Sequence, residues 1–166
     1  SDIGSTRGQL IGDLHIAIVD AVLSNPLCRL DDAIHLFNAT ENEVQIHLYI
    51  EAPHNIQTGL MQERFDIGLA AFRNLPSTLT TKHLYEEKQS LYCGNRHPLF
   101  EVNADELNSE MIEQANYVRQ FDMSDWSAPE SQLFNPKAAT ADVEAMAAFI
   151  LSGDYIGYIP EHYAKY

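Results

Sequence analysis

Basic residues are scarce in this chain. Ten Lys and Arg stand against 24 Asp and Glu, a formal net charge of −14, and no stretch gathers the cations into a block. A surface that tracks a phosphate backbone needs such a block, so these residues do not read as a nucleic-acid-binding surface. The acidic balance is that of a soluble protein. Long hydrophobic runs are missing too. The longest, such as residues 16–19 and 145–151, fall far short of the ~20 residues that cross a bilayer. Residues 1–8 carry no apolar h-region and do not read as a signal peptide. Cysteine is nearly absent: Cys28 and Cys93 lie far apart, in elements of different kinds. They read as small core residues of a reducing compartment, not as a disulfide framework. A cytoplasmic setting without membrane contact is expected.

Motifs that carry catalysis are also missing. There is no nucleophile elbow, no phosphate-binding glycine loop and no Gly-x-Gly-x-x-Gly after a strand. The seven histidines (15, 35, 47, 54, 83, 97 and 162) never pair as His-x-x-x-His or His-x-x-Glu-His. His15 and His47 fall inside strand patterns and read as partnered structural rings rather than metal ligands. Asp31 and Asp32 sit in the first turns of a predicted helix, where acids answer the positive end of the dipole; that reading outweighs a catalytic carboxylate pair. No metal, no cofactor and no enzymatic activity is expected.

What is present is a core. Apolar residues make up 45% of 166 residues, enough for one domain or for two small lobes. Leu14-His15-Ile16-Ala17-Ile18-Val19, bounded by Asp13 and Asp20, predicts a buried strand. Asn25-Pro26 predicts a helix start with Leu27, Leu30, Ile34 and Phe37 on its inner face. Residues 44–50 alternate and predict a second strand; Pro53-His54-Asn55 ends it, and a helix is expected over 56–64. Residues 65–71 predict a third strand. Strand, helix, strand, helix, strand requires crossover connections and a parallel sheet.

The second half repeats this order more loosely. A strand is expected within 84–93, a short helix near Asp105-Glu106-Leu107 in an otherwise irregular 101–113, and a brief strand over 117–121. Residues 122–136, which hold the single Trp126, read as irregular. A strong helix over 141–152 puts Val143, Met146, Ala147, Ile150 and Leu151 on one face and stops at Gly153, followed by a strand over 155–159. The expected fold class is α/β, with two lobes hinged near residues 75–98.

The ordered set of segments resembles one family. Gly8-x-Leu10-x-Gly12-x-Leu14-x-Ile16, then Gln62-Glu63-Arg64-Phe65-Asp66-Ile67-Gly68-Leu69, then Leu91-Tyr92-Cys93-Gly94-Asn95-Arg96-His97-Pro98-Leu99, then Phe149 through Pro160 are similar to the effector-binding (substrate-binding) domain of LysR-type transcriptional regulators. The resemblance implies two Rossmann-like α/β lobes with a ligand cleft between them, like type 2 periplasmic binding proteins. It divides the chain into lobe one (8–80), a crossing strand and hinge (81–97) and lobe two (98–166). It further implies an N-terminal winged helix-turn-helix and a C-terminal return segment, neither within these 166 residues. Partners are then a small-molecule effector, further copies of the chain in a homodimer or homotetramer, and DNA only through the helix-turn-helix. The exposed parts of the helices at 26–37 and 141–152 are the expected subunit contacts.

In such a fold the effector lies against strand ends and helix N-termini. The corresponding residues are Asp20, Ala21 and Ser24 after the first strand, Pro53, His54 and Asn55 after the second, and Phe72 and Arg73 after the third. Gln120, Phe121 and Thr140 are their counterparts in lobe two. Ser24, Asn55 and Thr140 equally fit helix caps, Phe72 and Phe121 equally fit packing, and Arg73 equally fits a solvated loop charge. Asp20 stands where a small or hydroxyl residue is common in the family, and a carboxylate there repels anions. The expected effector is polar and not strongly anionic, or an anion offset by Arg73 or a protonated His54. A solute-binding protein of a transport system and an enzyme on the same scaffold are the competing readings.

Overall fold

The computed structural model describes residues 3–6, 8–121 and 134–166. The chain separates into two compact units, Ser1–Glu86 and Glu87–Tyr166.

Unit one is built on β2 (Gln9–Ile18). A short β1 (Gly4–Thr6) pairs with it antiparallel, while β3 (Asn42–Ile50) and β4 (Ile67–Leu69) pair with it in parallel. The crossovers are α1 (Leu30–Asn38) and α2 (Pro53–Met61). Successive residues of β2 point to opposite faces. On one face Ile16 and Ile18 join Val22 and Cys28, with Leu14, Leu30 and Ile46 packed around them. On the other, Ala17 joins Ile56 and Phe65, with Leu60 and Phe72 alongside. Both faces are buried, which is why this strand reads as an uninterrupted apolar run.

Four expectations for unit one need correction. The helix predicted from Asn25-Pro26 begins at Leu30. The Asn25 side-chain oxygen accepts the N–H of Leu27 at 2.9 Å and its carbonyl accepts that of Cys28, so Asn-Pro builds a turn instead of a cap. Leu27 is accordingly exposed. Conversely, Pro53 does not precede the second helix; it opens it, in the first turn where a missing N–H goes unused. The helix ends at Met61, with Glu63 at φ 57 just beyond it, and the third strand shrinks to Ile67–Leu69.

Unit two holds a sheet in the order β5-β8-β6-β7: β5 (Gln89–Cys93), β8 (Ile156–Pro160), β6 (Asn116–Gln120) and β7 (Asn135–Thr140). β5 runs antiparallel to β8; β6 runs parallel to both of its neighbours. The helix α4 (Val143–Ser152) covers one face through Met146 and Ile150, against Val118 and Ile159. Ala115, Phe134 and Ile156 fill the other. Gly153 takes φ 86 and caps α4 with its N–H on the Ile150 carbonyl, as its position predicted. β7 was not anticipated: its first two residues fall at the end of the segment expected to be irregular, and its sequence, Asn-Pro-Lys-Ala-Ala-Thr, lacks β-branched alternation. The short helix near Asp105 is a single 3₁₀ turn (Ala104–Glu106), followed by α3 (Ser109–Gln114), whose start is capped by the Asn108 side chain on the N–H of Met111. Trp126 lies outside the described residues.

Candidate functional site

In unit one the three parallel strands end together. Ile18 is in register with both Ile50 and Leu69. The N–H of Glu51 donates to the Ile18 carbonyl (2.9 Å) and that of Val19 to the Leu69 carbonyl (3.2 Å). Parallel strands joined by crossover helices leave their carboxyl ends on one edge, and that edge is where α/β sheets hold ligands. Eight of the sequence-predicted site residues follow these three strand ends: Asp20, Ala21 and Ser24, then Pro53, His54 and Asn55, then Phe72 and Arg73.

Their roles differ. Asp20 is half-buried in the turn that leaves β2. Ala21 takes the left-handed conformation, φ 59, which reverses the chain, and Ser24 donates its hydroxyl to the Ala21 carbonyl at 2.9 Å. Asn55, in the first turn of α2, donates from its amide to the Glu51 carboxylate at 3.2 Å. His54 and Arg73 are exposed. Phe72 is half-buried and packs beside Ala17, Ile56 and Phe65, so much of its ring belongs to the core.

The edge has an electrostatic character that sequence reading only half anticipated. Besides Asp20 it carries Glu51, a half-buried acid immediately after β3. This carboxylate stands at the start of α2 and answers the helix dipole, the place an anionic ligand would otherwise take. Glu51 was missed because a terminal Glu on an alternating strand looks like any solvated charge; its position before a proline-initiated helix was the available signal.

In unit two, Gln120 and Thr140 are in register at the ends of parallel β6 and β7, and the exposed Phe121 follows. Gln120 donates from its amide to the Ala141 carbonyl at 3.3 Å, tying the two strand ends together. Thr140 is buried, and its hydroxyl oxygen accepts the N–H of Asp142 at 3.3 Å just ahead of α4. The N-cap of α4 is Asp142, so Thr140 makes a turn ahead of the helix and does not cap it.

A second polar group was not foreseen as a unit. His15 and His47 face each other in register across β2 and β3, their rings stacked 4.5 Å apart. His47 Nε2 lies 2.8 Å from the Asp13 carboxylate, and His15 Nδ1 lies 3.1 Å from the Tyr49 hydroxyl. Both histidines are partnered, in keeping with a structural role. Among the described residues no group of three or more His, Cys, Asp or Glu side chains is arranged to hold a metal ion. Burial pushes the Cys93 thiol up from its ordinary value, and Cys28 is buried. Among the described residues no helix is long and apolar enough to cross a membrane.

Comparison with known proteins follows the same lines. The profile of the LysR substrate binding domain matches residues 7–166. The HTH-type transcriptional activator BauR of Pseudomonas aeruginosa is 27% identical over 165 residues, 99% of this chain and 54% of that protein; the chain thus spans about half the length of this curated relative. Among solved structures, the cofactor-binding domain of the Cbl transcriptional regulator superposes with a TM-score of 0.70 at 22% identity, covering 96% of this chain and 72% of that one. The effector binding domain of QuiR in complex with shikimate gives a TM-score of 0.70 at 15% identity, covering 91% of this chain and 74% of that one. At such identities the likeness shows the fold, that of LysR effector-binding domains with their type 2 periplasmic-binding-protein architecture.

Proposed function

The chain belongs to the LysR substrate binding domain family, and from that membership we propose that it is the effector-sensing and oligomerising part of a cytoplasmic transcriptional regulator. The family match over residues 7–166 carries this reading, and the convergence of unit one's strand ends supports it. The domain binds a small metabolite and catalyses nothing. Effector binding shifts the geometry of a dimer or tetramer and so repositions helix-turn-helix heads that contact DNA. The −14 charge suits a sensor that leaves DNA contact to another segment.

Effector contacts are assigned to Asp20, Ala21, Ser24, Pro53, His54, Asn55, Phe72 and Arg73 in unit one. Gln120, Phe121 and Thr140 are the corresponding assignments in unit two. The contacts of Ser24, Gln120 and Thr140 run mainly through the backbone they brace, because their side chains already hold local carbonyls or N–H groups. Asp20 and Glu51 set the charge preference: the effector is polar and not strongly anionic, or its anionic group is matched to Arg73.

A thermal-shift screen of the chain against carboxylates, amino acids, aromatics, sugars and amines tests this. A ligand at 100 times its Kd adds about 2.7 kcal/mol, a rise of roughly 5–10 °C at this size. Asp20→Asn is expected to move the preference toward more anionic ligands. An unchanged preference would refute the charge assignment, and catalytic turnover of a bound ligand would refute the sensor.

A further inference from the structure

Unit two contains a turn built around a histidine whose protonation state is dictated by geometry. After β5 the chain folds back at residues 94–97, with the His97 N–H on the Gly94 carbonyl at 2.9 Å. The imidazole of His97 is buried. Its Nδ1 accepts the N–H of Leu99 at 3.1 Å, so the ring proton must reside on Nε2. This copies, with a titratable ring, the turn that Asn25 makes with Leu27 and Asn42 makes with Val44 through their side-chain oxygens. A proton on Nδ1 would turn the acceptor into a donor aimed at another donor, inside a buried site.

The turn is seated, not dangling. A Cβ on Gly94 would lie 2.5 Å from the Ile150 carbonyl oxygen, and one on Gly153 would lie 2.4 Å from Arg96 Cβ. The turn thus lies against the carboxyl end of α4. Leu99, the residue held by the imidazole, packs on the cluster of Ala115, Phe134 and Ile156.

We propose that the His97 turn is an acid-sensitive latch: it is closed while Nδ1 is unprotonated, and it releases residues 97–102, with Leu99, from the Ala115, Phe134 and Ile156 cluster when Nδ1 takes a proton. The charges around it do not all oppose this. Asp154, in the turn after α4, attracts a protonated ring. Burial outweighs Asp154 and holds the ring below its ordinary value of 6.5. The sign follows. The opened segment binds a proton that the closed one refuses, so closure is fully favoured above about 6.5 and weakens as pH falls below it.

The test is amide hydrogen exchange on the 166-residue chain between pH 7.5 and 5.0, corrected for intrinsic rates. The opening equilibrium at Leu99 is expected to rise up to about tenfold per pH unit below about 6.5. Phe100, bonded to the His97 carbonyl, and Val102, bonded to the Leu99 carbonyl, should follow it. H97N keeps the acceptor and removes the titration, so its profile should be flat. A flat profile in the unsubstituted chain, or an equally steep one in H97N, overturns the proposal. Independently of any variant, the Cε1–H resonance of His97 should titrate below the ordinary histidine range and in step with Leu99 opening; a midpoint in the ordinary range with Leu99 still protected also overturns it.

Discussion

Gly157 in β8 is closely packed by side chains of the unit-two core. A Cβ there would lie 2.7 Å from Val118 Cγ1, 3.1 Å from Met146 Sδ and 3.3 Å from Ile150 Cδ1. Val118 is fully buried and Met146 and Ile150 nearly so, so no neighbour can swing into solvent. Gly157→Ala therefore overpacks the seam between α4 and β6, a destabilisation of about 1–3 kcal/mol. Val118→Ala alone removes two buried methyl-sized groups and leaves a void, about 2 kcal/mol or somewhat more. The two changes share the same space. Combined, the alanine at 157 fills part of the void left at 118, and the double variant should be more stable than the sum of the singles by about 1–2 kcal/mol, within the range seen for residues in contact. Urea unfolding followed by a probe in unit two measures all four corners of the cycle. Strict additivity would refute the claim that this glycine is required by the Val118 side chain. An unchanged midpoint for Gly157→Ala would refute the close packing altogether.

Other outcomes follow from the same geometry. Ile56→Ala empties a fully buried position on the inner face of α2 and should lower stability by about 2–5 kcal/mol; a loss below 1 kcal/mol by denaturation would contradict the packing. Gly153→Ala forces a side chain into φ 86 and against Arg96, expected to destabilise by at least about 1 kcal/mol, and a variant as stable as the parent would refute the cap. Since burial raises the Cys93 thiol above its ordinary value, its alkylation by iodoacetamide at pH 7.5 should be slower than that of a free thiol and should recover that rate in urea. Equal rates with and without urea would remove the burial argument.

Much of the fold was legible because burial on both faces leaves a mark on composition. β2 carries adjacent apolar residues that serve two different helices, and α4 carries an apolar face stopped by a glycine; both signals are local. Local signals also misled. Asn25-Pro26 has the residues of a helix start, yet the Asn25 amide found a nearer N–H and made a turn. β7 has almost no strand propensity and exists because β6 offers it a ladder.

The site divides in the same way. Residues after the strands were identifiable once the strand order was read, since crossover topology alone sends three carboxyl ends to one edge of unit one. Which of them remain available to a ligand was not identifiable: that Ser24 holds Ala21, that Gln120 ties Ala141 and that Phe72 packs on the core depend on distances no spacing encodes. The stacked pair of His15 and His47 belongs to register, which exists only after two strands have paired. The amino-acid order by itself determined periodicity, punctuation and charge balance, because these act between near neighbours. Tertiary structure alone decided that His15 would stack on His47, that Gln120 would reach Ala141 and where Gly157 had to lack a side chain, because those choices are made by groups distant in sequence and brought within a few ångströms by folding.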